Sequence, residues 1–193
     1  DPLKFKERFW PHIQFYDKQI EILYSIIDSN WTIVPAGNKL GKDFIAAFIS
    51  LWFFLSRPLA RVITASVDQD QLKMVLWGEI SQLIESATSE LPIVKQSMRI
   101  QKIRPDGTLC PKSFILGRVA SKENEGAGLL GYHLEHNINP LTKEPYPSTL
   151  ALRDECSAFL DVFKEKMDTC SHVSLDIGNP FPCVNYFYKA VEG

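Results

Sequence analysis

The sequence predicts a three-layer α/β domain with a mainly parallel central sheet, and three observations carry that prediction. Short apolar runs with strand character alternate with helical periodicities along most of the chain. A glycine-containing turn at 36–43 stands between one such strand and one such helix. A later apolar strand, Thr149 to Leu152, runs directly into the acids Asp154 and Glu155 after Arg153. Strands separated by helices must cross back over the sheet to pair in parallel, so helices cover both faces.

With 193 residues, 45% of them hydrophobic and 11% aromatic, the chain can bury one ordinary core, so 1–193 is expected to be a single domain. A formal net charge of -2 supplies no global basic field, and any contact with nucleic acid needs a local patch or partner subunits. Cys110, Cys156, Cys170 and Cys183 form no CxxC pair, which argues against a zinc ribbon or disulfide framework and for reduced, mostly buried thiols. The longest apolar stretch, Phe44 to Leu55, is too short to cross a bilayer and no signal-like segment opens the chain. A soluble, intracellular protein without membrane contact is the expectation. A first residue Asp1 rather than Met suggests a fragment or processed product.

Asp17 is the expected cap of a helix from about Lys18 to Ser29, with Ile20, Leu23, Ile26 and Ile27 on one face. Trp31 to Val34 reads as a short buried strand. A helix from Lys42 to Leu55, stopped before Pro58, and a strand from Arg61 to Ala65 follow. Leu72, Val75, Leu76, Ile80, Leu83 and Ile84 mark a long amphipathic helix between Asp68 and Ala87. Met98 to Ile103 and Ser113 to Val119, around the turn Pro105-Asp106-Gly107, read as a hairpin. Residues 120–148 read as a long surface loop. After the Thr149 strand come a helix from Phe159 to Asp168, a strand from Val173 to Ile177 and a last helix from Asn185 to Val191.

Ala36-Gly37-Asn38-Lys39-Leu40-Gly41-Lys42-Asp43 approximates the phosphate-binding pattern GxxxxGK[ST], with Ala in the first slot and Asp in the last. Between strand and helix, its backbone amides and the helix N-terminus can hold phosphate oxygens, and Lys42 can neutralise the β and γ phosphates. Asp43 stands where a hydroxyl normally reaches magnesium; a carboxylate is also an oxygen ligand, but it adds negative charge beside a triphosphate. Taken alone, the turn also reads as a capped helix start with a solvated lysine. The pair Asp154-Glu155 after an apolar strand is the Walker B arrangement: Asp154 to hold magnesium, Glu155 to polarise the attacking water. Asn179, in the turn after Val173 to Ile177, is the candidate γ-phosphate sensor, against the plainer reading of a Gly-Asn-Pro turn.

In this order the motifs resemble the N-terminal ATPase domain of the large terminase subunit, the DNA-packaging motor of tailed bacteriophages. The resemblance spans nearly the whole chain. Tyr16-Asp17-Lys18-Gln19 resembles the adenine-side Gln motif, PAGNKLGKDF the terminase variant of Walker A, ITAS at 63–66 the segment after the second strand, and GLLGYH at 128–133 the glycine loop before Walker B. What it implies is a P-loop NTPase of the ASCE/RecA-like group that uses ATP and Mg2+. Tyr16 and Gln19 would lie at the adenine, and Lys39 would help hold the γ-phosphate. It also implies double-stranded DNA as the load, a homo-oligomeric ring on a portal or procapsid, a small terminase subunit as partner, and the host cytoplasm as location. A trans-acting arginine is expected before Walker B; GLLGYH has none, which leaves Arg118, with Arg104 behind it. The family's C-terminal nuclease finds no counterpart, so no DNA cutting is expected.

The remaining signals have plainer readings. His133 and His136 could ligate zinc but lack a completing cluster, and Phe5, Phe9, Trp10, Phe15 and Tyr16 could line an adenine pocket, though apart from Tyr16 such an aromatic stripe is more often core packing. Lys4, Lys6, Arg8, Lys164, Lys166 and Lys189 are possible DNA contacts whose default is a solvated face. Two other functions share these motifs: a helicase-like translocase on single strands, and a nucleotide-dependent scaffold that does not hydrolyse.

Overall fold

The computed structural model describes residues 1–37, 40–120, 136–180 and 184–192. Its elements are α1 (Pro2–Phe9), α2 (Asp17–Asp28), β1 (Trp31–Pro35), α3 (Lys42–Leu55), β2 (Arg61–Ser66), α4 (Gln69–Gln71), a π-helical turn (Leu72–Leu76) and α5 (Trp77–Ser86). They continue with β3 (Ile93–Gln96), β4 (Arg99–Ile103), β5 (Leu109–Val119), β6 (Asn137–Ile138), β7 (Pro145–Tyr146) and β8 (Thr149–Arg153). A 3-10 turn (Cys156–Ala158), α6 (Asp161–Asp168), β9 (Val173–Gly178) and α7 (Tyr186–Glu192) complete the chain. The large sheet has the order β1-β9-β8-β2-β5-β4-β3. Its first five strands pair in parallel, and β4 and β3 extend it antiparallel. The expected three-layer architecture is observed.

Helix α3 is the hub. It carries eleven buried residues, from Lys42 to Phe54, and packs with α5, Trp10 and Leu23 against Val62, Ile115, Leu150, Leu152 and Leu175 of the sheet. A helix apolar around most of its circumference is stable only when enclosed, which places it between the sheet and the outer helices. A smaller core on the other face joins Ile63, Ala65 and Ala151 to Phe159, Phe163 and Met167.

Several local expectations are corrected. Tyr16, not Asp17, caps α2, and Ile27 is exposed, because the buried face of α2 runs through Gln19, Leu23 and Ile26. Strand β1 is an edge strand with Trp31 42% exposed, so it is not buried as a whole. The single helix expected from Asp68 is interrupted by the π turn, whose extra residue per turn pushes Val75 into solvent while Leu72, Leu76, Trp77, Ile80 and Leu83 remain inside. The loop before β8 contains a small β6–β7 hairpin, and β3 adds an edge strand that the sequence pattern did not reveal. Phe5, Phe9, Trp10 and Phe15 form an aromatic cluster with Phe48, as packing requires.

Candidate active site

Parallel strands in an open sheet all end on the same side, and α/β proteins bind ligands at that C-terminal edge. Here β1, β9 and β8 deliver their successors side by side: the turn before α3, Asn179, and Asp154-Glu155. Ala36 N donates to the Gly178 carbonyl (3.0 Å), which ties the turn to the end of β9. Asn179 follows directly and is 7% exposed.

Gly41 caps α3 at φ 70°, a left-handed conformation that glycine adopts without cost, and no side chain caps that helix end. A Cβ there would meet Gln19 Nε2 at 2.9 Å, so the position is restricted both by conformation and by space. The α2 end grips the turn: Tyr16 donates its hydroxyl to the Leu40 carbonyl, and Gln19 Nε2 donates to the Gly41 carbonyl (3.4 Å) while its Oε1 accepts from Tyr16 N (3.4 Å). Gln19 is 4% exposed. One end of its amide therefore holds the turn and the other the start of α2. Tyr16, half exposed, lines a cavity of about 540 Å³ with Ile22, Ser25, Thr32, Val34 and Leu40 between α2, β1 and the turn.

Lys42 is the first residue of α3 and is 4% exposed. Its Nζ donates to Glu155 Oε1 at 2.9 Å and stands 4.0 Å from Asp154 Oδ1. Burial pulls the ammonium down, but the bond to Glu155 and the field of Asp154, Glu155 and Asp43 outweigh it, and the net shift is upward. Burial raises the Asp43 carboxyl, with Lys42 opposing and Glu155 reinforcing. Asp154, 2% exposed, is pushed up to about 7, chiefly by burial and then by Asp43. Asp154 Oδ1 accepts from Glu155 N (2.9 Å), whereas Oδ2 has no partner among the described residues. Burial and Asp43 also raise Glu79 of α5, which places a further carboxylate near the cluster.

Glu155 has φ 56° and ψ 46°, a conformation rare for residues other than glycine and costing about 1–2 kcal/mol. Its surroundings hold it there. Asp154 N donates to the Ala65 carbonyl (2.8 Å), Cys156 Sγ to the Arg153 carbonyl (3.2 Å), and Ala158 N to the Glu155 carbonyl (3.0 Å). Asn185 then donates its Nδ2 to the carbonyls of Cys156 (2.7 Å), Ser157 (3.3 Å) and Phe159 (2.7 Å), while its Oδ1 accepts from Phe187 N (3.2 Å) and Tyr188 N (3.4 Å). One side chain thus fastens α7 to the turn that carries Glu155. Nothing in the sequence marked Asn185 for this, because its partners are backbone carbonyls nearly thirty residues earlier.

Arg153, between the apolar run of β8 and the two acids, turns away from the site. Side chains alternate along a strand, so Arg153 projects to the face opposite Asp154 and is completely buried. There it donates Nε to Asp176 Oδ1 (2.5 Å) and Nη1 to Asp168 Oδ1 (2.7 Å), while Trp31 Nε1 donates to Asp176 Oδ2 (2.8 Å). Lys164 also bonds Asp168 and lies over the Trp31 ring, and Lys6 is 7% exposed and donates to the Ile13 carbonyl (2.8 Å). Both lysines make intramolecular contacts where the sequence suggested a solvated face. Arg118 sits at the C-terminal end of β5, half-buried, on the site's side of the sheet. Arg104 lies in the exposed β4–β5 turn at the opposite end, beside Thr108. Asn38, Lys39, GLLGYH with His133, and Cys183 lie outside the described residues; Cys110, Cys156 and Cys170 are buried free thiols.

Among the described residues no three His, Cys, Asp or Glu side chains converge as a metal cage. The oxygens at Asp154 and Asp43 nevertheless fit magnesium, which takes one or two carboxylates and completes its shell with water and phosphate oxygens. The partnerless Asp154 Oδ2 is the observation that supports the fit.

A parallel sheet with one strand between the glycine-turn strand and the acid-bearing strand, and the turn's lysine meeting those acids, is the fold of P-loop NTPases in the ASCE/RecA-like strand order. Among solved structures, the fold is that of bacteriophage large-terminase ATPase domains. The large terminase ATPase domain of Thermus phage P74-26 matches at TM-score 0.64 and 16% identity, over 96% of this chain and 72% of that one. The HK97 bacteriophage large terminase matches at 0.58 and 14%, over 93% and 37%. The N-terminal domain of the DNA packaging ATPase from bacteriophage phi29 matches at 0.54 and 15%, over 92% and 86%. No family model and no curated protein matches the sequence. At these identities the likeness establishes the fold, as the order of motifs led one to expect. No helix among the described residues is long and apolar enough to cross a membrane.

Proposed function

We propose that this domain hydrolyses ATP with Mg2+ and that the cycle drives double-stranded DNA into a viral procapsid. The observation that carries the reading is Lys42 Nζ at 2.9 Å from Glu155 and 4.0 Å from Asp154, all three largely buried, at the end of a parallel sheet beside a glycine-capped helix start. The DNA packaging ATPase of bacteriophage phi29, which shares the fold, suggests the load.

In this reading the amides of 36–43, Asn38 included, and the N-terminus of α3 hold the phosphates, with Lys39 and Lys42 neutralising them. The cavity beside Tyr16 takes the adenosine. Asp154 and Asp43 hold the metal, which when bound polarises the γ-phosphate and shields its charge. Ligand-free, Lys42 is engaged by Glu155; a triphosphate competes for the ammonium and frees the Glu155 carboxylate to accept a proton from water. Asn179, beside the turn, reports the γ-phosphate. Arg118, on the same edge, is the candidate to reach a neighbouring subunit's cleft in a ring of copies, which would sit on a portal with a small terminase subunit in the host cytoplasm.

The test is ATP turnover by the wild type, Lys42→Ala and Glu155→Gln, with and without duplex DNA. Loss of nucleotide binding in the first variant, and retained binding with turnover lower by about 10²–10⁴-fold in the second, are expected. Equal turnover in all three proteins would remove the assignment; binding without turnover in the wild type would make the domain a nucleotide-dependent scaffold, and stimulation by single strands alone a helicase-like translocase.

A further inference from the structure

Of the three buried side-chain oxygens without partners among the described residues, two, Ser66 Oγ and Asp154 Oδ2, belong to adjacent strand ends. Strands β2 and β8 run in parallel with Ala65 opposite Arg153, and Asp154 N donates to the Ala65 carbonyl at 2.8 Å. The next residues along the two strands are Ser66 and Asp154. Alternation puts them on one face. Two residues before Ser66, the Thr64 hydroxyl accepts from Trp77 of α5 (3.0 Å); two before Asp154, Leu152 packs in the core around α3. That is also the face from which Lys42 approaches Asp154.

Ser66 is fully buried, and its carbonyl is used by Ala120 N (2.9 Å) while its hydroxyl is not. An unpaired buried hydroxyl costs free energy that an alanine would not. Meanwhile the turn lacks a hydroxyl: the slot after its lysine, where Ser or Thr ordinarily reaches the metal, holds Asp43. One hydroxyl is missing from α3, and another stands idle one strand end from Asp154.

We infer that the Ser66 hydroxyl belongs to the oxygen set that takes a divalent cation at Asp154, supplying the neutral donor that Asp43 does not carry. The inference rests on reading the cleft as a nucleotide site. Charge supports it. Asp43, Asp154 and Glu155 already crowd the cleft, with Glu79 near Asp43, so a further donor beside a triphosphate is favourable only if it is neutral. A hydroxyl is a hard oxygen that meets this condition.

The experiment titrates Mg2+ against binding of a fluorescent, non-hydrolysable ATP analogue, with a parallel titration in EDTA, for the wild type, Ser66→Ala, Ser66→Cys and Ser113→Ala. Ser113 is an equally buried serine, but its hydroxyl is satisfied by the Ala60 carbonyl (3.0 Å) at the far end of the sheet. Both Ser66 variants are expected to need about tenfold more Mg2+ for half-maximal binding. Their affinity in EDTA should match the wild type, and Ser66→Ala without ligand should melt no lower than it. Ser66→Cys keeps the side-chain volume but offers a soft sulfur, so its loss would speak for the oxygen rather than for packing. Wild-type Mg2+ dependence in both Ser66 variants, or the same loss in Ser113→Ala, would overturn the role of Ser66 while leaving the nucleotide site standing. Absence of any Mg2+-dependent binding in the wild type would overturn both.

Discussion

Arg153 and Asp154 are consecutive, charged and buried, yet the two faces of β8 treat them differently. On the α6–α7 side, burial lowers Arg153, but Asp176 and then Asp168 more than restore it, so its affinity for the proton rises. Asp176 in turn accepts from Trp31 and Arg153. On the α3 side, Asp154 keeps one oxygen without a partner among the described residues, and Lys42 serves Glu155 more closely than Asp154. A saturated ion pair holds a strand end in place; an unsaturated one stores a demand for a cation. The difference separates scaffold from site more sharply than burial or charge does, since both residues have both.

The contrast can be broken where it is strongest. Arg153→Ala leaves Asp176 fully buried without its cation and is expected to cost about 3–5 kcal/mol, read as a fall in the urea midpoint. If the loss is under about 1 kcal/mol, the α6–α7 network is not the scaffold described above.

Acidity sharpens the comparison, because the two sides carry opposite signs. Asp154 is raised to about 7 in the folded chain, above its ordinary value near 4, so its ionisation opposes folding. In EDTA without nucleotide, the wild type should lose on the order of 2 kcal/mol relative to Asp154→Asn between pH 5 and pH 8. Burial pushes Asp168 up, but Arg153 and Lys164 hold it below the usual range, so its contribution is present at neutral pH and disappears only on acidification below about 4. Parallel stability profiles for the wild type and Asp154→Asn would refute the demand for a cation.

A smaller effect is expected at the joint between the two sides. Asn185→Ala releases three carbonyls around the Glu155 turn and two amides of α7 and should cost about 1–2 kcal/mol in thermal melts. Turnover should fall with little change in nucleotide affinity, because Glu155 loses its imposed backbone conformation. The smallest expected quantity is a coupling: Asp154→Asn and Asp168→Asn, which share no partner, should add within about 0.5 kcal/mol in a double-mutant cycle.

Much of this was legible beforehand where local rules suffice. Helix α3 occupies its expected bounds because Gly41, Lys42 and Pro58 punctuate it, and β2, β5 and β8 are marked by short apolar runs between breakers. Legibility ended where a residue's role depends on distant partners. The hold of Gln19 on the turn was not foreseen; Val75 was expected inside and the π turn exposes it; Arg153 had no assignment until β9 and α6 were in place.

The sequence by itself determined the alternation of strands and helices, the glycine turn with Lys42 and the acids after β8, since periodicity and turn chemistry are properties of neighbouring residues. Only the tertiary structure decided which strand lies between β1 and β8, which face each charge enters, and which buried oxygens go unpaired. Those outcomes depend on strand order and on contacts between residues more than a hundred positions apart, such as Lys42 with Glu155, and no local pattern records them.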